Sequence, residues 1–273
     1  MIRTRVLSDG GENNLAFPTD DRIFLGEGLF ETLKVESGKP CFAYLHWQRL
    51  SESAQKLGIP FDLTFEHWLE HLLHKIKSDN LYHGGIKAIL SGGSAPRGLA
   101  VRGQISQLVL QTFNYTVETH PLKLVSVPWL RDAANPVFQV KSVNYLEAIL
   151  ARRYAIDLGA DDALFFNLQH HVTETTCANL FMIQKHCLLT PPLTDGVLPG
   201  ITRARIFKLS EQLNINCIEV SLTKSMLKDA DVVFLVNSLQ GIRPAYSLDD
   251  MIFAIDHPLL DQFTSSLSVG STI

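Results

Sequence analysis

The 273-residue sequence has only four cysteines, Cys41, Cys177, Cys187 and Cys217, scattered and without CxxC or Cys/His ligand spacing. That excludes a disulfide framework and suggests no zinc or other metal site, so the thiols are expected reduced and buried or half-buried. Positive charge is not in excess either: 24 Lys and Arg stand against 28 Asp and Glu, for a net of −4. Binding a phosphate backbone needs concentrated cations, so the sequence points away from nucleic acid and toward a small-molecule substrate. No uninterrupted apolar run is long enough to span a bilayer, and Met1-Ile2-Arg3-Thr4-Arg5 lacks the apolar core of a signal peptide. A cytoplasmic protein with no membrane partner is expected. Internal repeats and low-complexity segments are also missing. What is present is apolar mass: 46% of residues are hydrophobic, over a length that suits one large domain or two smaller ones.

The stretch from Gln139 to Phe181 organises the chemistry. Val137, Phe138 and Val140 make an apolar, strand-like approach to Lys141, and three residues later Asn144 is suited to cap a helix. Beyond it Leu146, Ile149, Leu150, Ala155 and Leu158 fall near one helical face, with Gly159 as the stop. A lysine at a strand-to-helix junction points into a crevice, where partial desolvation lowers its pKa and lets the amine form a Schiff base with an aldehyde. Ala163-Leu164-Phe165-Phe166-Asn167 reads as a buried strand, Gln169-His170-His171 as a turn, and Val172-Thr173-Glu174 as the return strand. Glu174 lies among Thr and Cys rather than other charges and needs a partner. A protonated pyridine nitrogen, an arginine and a turn to be capped all qualify.

Upstream, residues 26–35 begin as a glycine-punctuated turn and become a strand with Leu29, Glu31, Leu33 and Val35 on one side. Ser37-Gly38-Lys39-Pro40 turns it into a second strand over residues 41–45. An amphipathic helix over residues 46–57 carries Arg49 and ends at Gly58; another spans about 65–78, before a strand over 85–90. The glycine-rich loop Ser91-Gly92-Gly93-Ser94-Ala95-Pro96-Arg97-Gly98 follows. Lys87 and Arg97 are candidate partners for a substrate carboxylate or else solvated surface charges. A strand over 107–115 leads to residues 116–122, polar and proline-containing, the expected linker. It divides the chain into a smaller domain, 1–117, and a larger one, 118–273, that carries Lys141. Further on, Met182-Ile183 and Leu188-Leu189-Thr190 make a hairpin. Thr202 is a natural N-cap, with Ile201 and Ile206 as its staple and Ile206, Leu209 and Leu213 as the buried face. Arg203 and Arg205 then oppose the helix dipole, a conflict that an anion at the Ile201 and Thr202 amides would relieve, unless the arginines are simply solvated. A buried strand over 232–236 runs into Asn237-Ser238-Leu239-Gln240-Gly241-Ile242-Arg243-Pro244. Hairpins with interspersed helices suggest an α+β fold.

Three motifs carry a resemblance: Lys141-Ser142-Val143-Asn144-Tyr145, Glu174 with Asn179-Leu180-Phe181, and Leu198-Pro199-Gly200-Ile201-Thr202-Arg203. Their order and spacing are similar to those of fold-type IV pyridoxal phosphate enzymes, the class IV aminotransferase family, which holds branched-chain aminotransferases, D-amino-acid aminotransferases and 4-amino-4-deoxychorismate lyases. The likeness runs from about Gly26 to Pro244. It implies two α/β domains of the D-amino-acid aminotransferase type with pyridoxal 5'-phosphate between them, and a homodimer. It implies Lys141 as the catalytic, cofactor-bearing amine, Glu174 at the pyridine nitrogen and Tyr145 at the phenolic oxygen. The phosphate would fall to Arg49 of Gln48-Arg49-Leu50, the amides of Ile201 and Thr202, and the Ser238 hydroxyl. Thr32, Lys87, Arg97 and Leu239 are the implied substrate contacts. Phe30-Glu31-Thr32, the loop with Arg97-Gly98, and residues 237–244 resemble the lyases, whereas branched-chain aminotransferases usually carry Phe-Glu-Gly. Gly92, where many lyases have Arg, and Arg243, where an aromatic is frequent, depart from that pattern. The implied activity is conversion of 4-amino-4-deoxychorismate to 4-aminobenzoate and pyruvate in folate biosynthesis, with branched-chain or D-amino-acid transamination as the alternative.

Overall fold

The computed structural model describes residues 4–8 and 17–269. The described residues divide into two compact units, the first formed by those up to Thr116 together with Val140–Asn144, the second by Val117–Gln139 and residues 145–269.

The first unit is built on a five-stranded sheet of β1 (Thr4–Ser8), β2 (Gly28–Glu36), β3 (Lys39–Pro40), β4 (Gly84–Ser91) and β5 (Ser106–Phe113), in the order β1-β5-β4-β2-β3. Two helices, α1 (Ala43–Leu57) and α2 (Phe65–Ser78), cover it. Alternation along β2 sends Leu29, Leu33 and Val35 into the core, where Trp68, Leu72 and Ile76 meet them from successive turns of α2. Thr64 caps α2 by accepting from the His67 amide, and Gly58 ends α1 in the left-handed region at φ 69°. The strand expected over residues 41–45 stops at Pro40. Cys41 and Phe42 turn instead, and the helix starts at Ala43 because Ala43, His46 and Leu50 share its buried stripe.

The second unit contains β6 (Leu122–Arg131), β7 (Asp162–Asn167), β8 (Val172–Thr175), β9 (Asn179–Gln184), β10 (Cys187–Thr190), β11 (Cys217–Glu219), β12 (Val232–Asn237), β13 (Gly241–Leu248) and β14 (Met251–Ile252). The path β9-β12-β13-β6-β7-β8 returns to β9 through the Glu174–Asn179 pair, which closes a barrel. Leu124, Leu164, Phe166, Leu180, Met182, Val233 and Leu235 fill one face of these strands. The alternate residues Phe181, Ile183, Phe234 and Val236 pack under α4 (Ile201–Gln212) and α5 (Pro258–Val269), while Val125, Ala163 and Phe165 meet α3 (Leu146–Asp157).

The α3 contact reverses an expectation. Of the expected face only Ala155 is buried, beside Ala151, while Leu146, Ile149, Leu150 and Leu158 are 67%, 43%, 49% and 52% exposed. Trp129 and Phe165 fill the volume there, so only alanine-sized side chains fit against the strands. The strand-like approach to Lys141 is a 3-10 turn, Pro136–Gln139, whose entry is set by Asp132 and Asn135 carboxyl and amide oxygens accepting from the Ala134 and Val137 amides at 2.9 and 3.1 Å. Lys141, expected within the C-terminal domain, belongs to the first unit: the Phe30 amide donates to Lys141 O at 2.9 Å and the Val143 amide to Gly28 O at 3.0 Å. β3 covers only Val35 and Glu36 on that side of β2, so the segment satisfies backbone groups that an open edge would leave unpaired.

Candidate active site

In the first unit, Phe30, Thr32 and Lys87 share the sheet face opposite the core, since Thr32 and Lys87 are directly paired across β2 and β4. The Nζ atoms of Lys141 and Lys87 lie over the same aromatic ring, 4.3 and 4.6 Å from the Phe30 centroid. Burial, and then the Lys141 charge, pushes the Lys87 ammonium below its ordinary pKa. Arg97 stands apart from these groups, in a run from residue 96 to 100 that is exposed throughout.

On the core side of β2, Glu31 occupies an inward position between Leu29 and Leu33 and is 1% exposed. Arg49 forks onto it, Nε to Oε1 at 2.8 Å and Nη2 to Oε2 at 2.6 Å, and His46 Nδ1 lies 2.6 Å from Oε2. Burial alone would raise the Glu31 pKa, but Arg49 and His46 outweigh it and hold the carboxyl at about 2. Burial is the main cause that lowers the pKa of His46, and its Nε2 is buried with no hydrogen-bond partner, so a second proton on the ring would be unsatisfied. The bidentate reach of Arg49, expected for a phosphate, is therefore used on Glu31. Removing that carboxylate strands a largely buried guanidinium: Glu31→Gln is expected to lower stability by about 3 kcal/mol at pH 7 in urea unfolding. Since the folded-state pKa lies below the ordinary 4.5, the stabilisation is present above that value and is lost as pH falls toward 2. The variant should lack that part of the acid dependence.

In the second unit, β8 presents Glu174, and Oε2 accepts from the Leu198 amide at 3.1 Å and from Asn179 Nδ2 at 3.3 Å. Arg131 Nη1 approaches Oε1 at 3.4 Å while its Nε donates to Glu147 at 2.9 Å and its guanidinium lies 3.3 Å from the Phe165 ring centroid. Of the partners open to Glu174 from sequence, an arginine and a backbone amide are thus both in place. Asn179 also donates to Leu198 O at 3.0 Å, and a Cβ on Gly200 would overlap Asn179 Oδ1. Gly200→Ala is accordingly expected to displace Asn179, loosen Glu174 and weaken cofactor retention at least tenfold, read by equilibrium dialysis.

Helix α4 starts at Ile201 with Gly200, not Thr202, as its N-cap, and no side chain caps it. Glycine takes that place because Asn179 leaves no room for a side chain, and Ile201 is then the first helical residue, so the expected staple with Ile206 does not form. A helix start leaves its first amides, here those of Ile201 and Thr202, without intrahelical acceptors. Arg203 turns away to Pro191 O at 3.0 Å and to Glu219, so its charge is offset within the unit. Burial lowers the pKa of Arg205. Tyr145 opens α3 at the N-cap position, with no side-chain cap bond. Asn144, expected there, donates to Gly26 O at 2.8 Å in the first unit. Ser238 and Leu239, both half-buried, form the tip of the β12–β13 hairpin, where Asn237 Oδ1 accepts from the Leu239 and Gln240 amides at 3.1 and 2.8 Å. Arg243 donates to Glu118 at 3.1 Å and to His120 O at 2.9 Å.

His46, Arg131 and Glu147 were not singled out from sequence, and Glu31 was noted there only as part of its strand and of Phe30-Glu31-Thr32, with no site role. Glu31 alone carried a signal, a charge at an inward strand position. Cys177, expected buried or half-buried, is exposed; it lies in the loop between β8 and β9. Among the described residues no cluster of His, Cys, Asp or Glu is placed to hold a metal, and no helix is long and apolar enough to cross a membrane.

The family model for amino-transferase class IV matches residues 28–248. A crystal structure of a provisionally named 4-amino-4-deoxychorismate lyase from Legionella pneumophila is 60% identical with a TM-score of 0.96, covering 98% of this chain and all 100% of the other. The 4-amino-4-deoxychorismate lyase of Pseudomonas aeruginosa is 26% identical with a TM-score of 0.84, covering 93% of this chain and 94% of that one. By sequence, a provisionally named branched-chain-amino-acid aminotransferase from Methanocaldococcus jannaschii is 29% identical over 257 residues, 91% of this chain and 87% of its own length.

Proposed function

We propose, from the premise that this chain belongs to the class IV aminotransferase family, that it is a lyase converting 4-amino-4-deoxychorismate to 4-aminobenzoate and pyruvate. The architecture is that of fold-type IV enzymes, mixed α/β with a β-barrel unit, and the family's cofactor is pyridoxal 5'-phosphate. The residues fit that group: a lysine amine over an aromatic ring, a carboxylate held by an amide and a carboxamide, and a side-chain-free helix start behind a position where a Cβ is excluded. Lys141 would bear the cofactor, Glu174 would meet its pyridine nitrogen and Tyr145 its phenolic oxygen. Ile201, Thr202 and Ser238 would take its phosphate, while Arg49, whose fork is engaged by Glu31, would add positive charge rather than a bidentate contact.

Bound there, the cofactor supplies an electron sink for a carbon that loses its proton. Lys141 takes that proton from the amine-bearing carbon at Nζ, which requires its amine to be neutral at that moment. Glu174, which accepts from the Leu198 amide and faces Arg131, would supply the negative charge that keeps a pyridine nitrogen protonated. Departure of the neighbouring enolpyruvyl group as pyruvate leaves a ring that becomes aromatic, which makes the reaction effectively one-way. Thr32 and Lys87, adjacent on one sheet face, are proposed for substrate contact together with Arg97 and Leu239.

The observation that carries the lyase over the transaminase is the 60% identity, along nearly the whole chain, to a protein named for that reaction. Thr32 and the Asn237 to Pro244 segment support the same reading. Branched-chain transamination is the second reading, favoured by the archaeal relative. The test is product formation: equal amounts of 4-aminobenzoate and pyruvate with no keto acid added support the lyase, and a strict requirement for keto acid removes it. Cytoplasmic action in folate biosynthesis, as a homodimer, belongs to the same proposal. The exposed leucine and isoleucine face of α3 supports the dimer, since a second copy would cover it.

A further inference from the structure

We propose that Arg22 is a positioning residue for substrate binding, one that holds the exposed tip of the loop after β4 and so fixes the place of Arg97. The proposal deepens the reading of Arg97 as a substrate contact and rests on it. β2 and β4 pair as far as Gly28 and Ser91, and beyond that end the two chain segments are knitted together by their backbones. The Gly92 amide donates to Glu27 O at 2.7 Å, the Arg22 amide to Gly93 O at 3.0 Å and the Ala95 amide to Asp20 O at 3.2 Å. Ser91 Oγ donates to the buried Asp21 carboxylate at 2.7 Å. The base of the loop is thus fixed without the Arg22 side chain.

The tip is different. Residues 96–102 are exposed throughout, so they bury little apolar surface that would hold them in one conformation. Arg22, 7% exposed, supplies the tie: Nη1 donates to Gly98 O at 3.0 Å and Nη2 to Leu99 O at 3.3 Å. Its Nε donates to the Glu27 carboxylate, which balances the buried charge and leaves the terminal nitrogens for the two carbonyls. Among the described residues no other hydrogen bond to residues 96–102 is found. The planar fork of a guanidinium suits two consecutive carbonyls, and it fixes the backbone directly after Arg97. Gly98 permits the arrangement, since its φ of 128° lies where a side chain would be strained. A hydrogen bond from a charged donor is worth about a factor of ten in the population of the held conformation.

Holding is read without turnover, by limited trypsin digestion of the cofactor-loaded protein with cleavage after Arg97 quantified by mass spectrometry. In Arg22→Gln that cleavage should be roughly tenfold faster than in the parent, because a released tip enters the protease more readily. Positioning is read by steady-state kinetics with 4-amino-4-deoxychorismate, or with a branched-chain amino acid and keto acid if product formation requires the latter. Arg22→Gln should raise KM about tenfold and leave kcat within about twofold, since the loop binds substrate and does not touch the reacting proton. Arg97→Gln should raise KM at least as much. Adding Arg22→Gln to Arg97→Gln should raise it no further, because Arg22 acts through Arg97. If Arg22→Gln fails to fold, Arg22→Lys, which keeps the charge beside Glu27 and gives up the fork, replaces it with the same outcomes expected. Unchanged cleavage in the Arg22 variant overturns the proposal, and so do KM effects that multiply in the double variant. A raised KM in Arg97→Gln beside an unchanged one in Arg22→Gln overturns the proposal alone, whereas the parent KM in Arg97→Gln removes the underlying reading of Arg97 and the proposal with it.

Discussion

Lys141→Ala is expected to fold, to lose the visible absorbance of the cofactor-loaded parent, and to turn over more than roughly 10⁴-fold more slowly. Folding should survive because the segment is held through its backbone, by Lys141 O and the Val143 amide against β2. Absorbance should vanish because the covalent link needs an amine, and turnover because the same Nζ is the proposed proton acceptor. Lys87 is the informative neighbour, since it is the second amine over the Phe30 ring. With Lys141 gone, its own proton affinity loses one of the two influences that depress it, so it should be a poorer nucleophile than in the parent. Absorption spectra, borohydride reduction and peptide mapping read the outcome. Unchanged absorbance with a reducible link to another lysine would remove Lys141 from its assigned role.

How much of this was legible depended on whether a residue's neighbours are near it in sequence. Local patterns read well. The alternation of Leu29, Leu33 and Val35, the helix over Phe65–Ser78 and the β9–β10 hairpin are set by periods of 2 and 3.6 and by turn residues a few positions away. The errors arose where a distant partner decides. Leu146, Ile149 and Leu150 form the more apolar side of α3, yet the helix turns its alanines inward because Trp129 and Phe165 already occupy the space. Thr202 has the chemistry of an N-cap, but Asn179 crowds Gly200 and the helix starts two residues earlier. Lys141 joins the first unit because β2 lacks a long partner strand on one side. At the site, the motif residues were readable by likeness, while their supports were not. Arg131 stands 43 positions from Glu174, and no local pattern links them.

Glu174→Gln should reduce turnover by roughly a hundredfold or more while leaving the fold intact. The amide oxygen can still accept from the Leu198 amide or from Asn179, so the shape of β8 and its neighbours is preserved. What is lost is the negative charge, which Arg131 faces on one side and the pyridine nitrogen would face on the other. Both the lyase and the aminotransferase require that charge when the substrate carbon gives up its proton, so the loss itself does not separate them. The product that is lost does. For the lyase, the parent releases 4-aminobenzoate and pyruvate in equal amounts with no keto acid present, and the variant lowers both together. For the aminotransferase, the parent stalls after one turnover until a keto acid arrives, and the variant lowers the keto-acid-dependent rate. An undiminished rate in Glu174→Gln would remove Glu174 from the site. A reduced rate that appears only with keto acid would keep the site and replace the lyase by the aminotransferase.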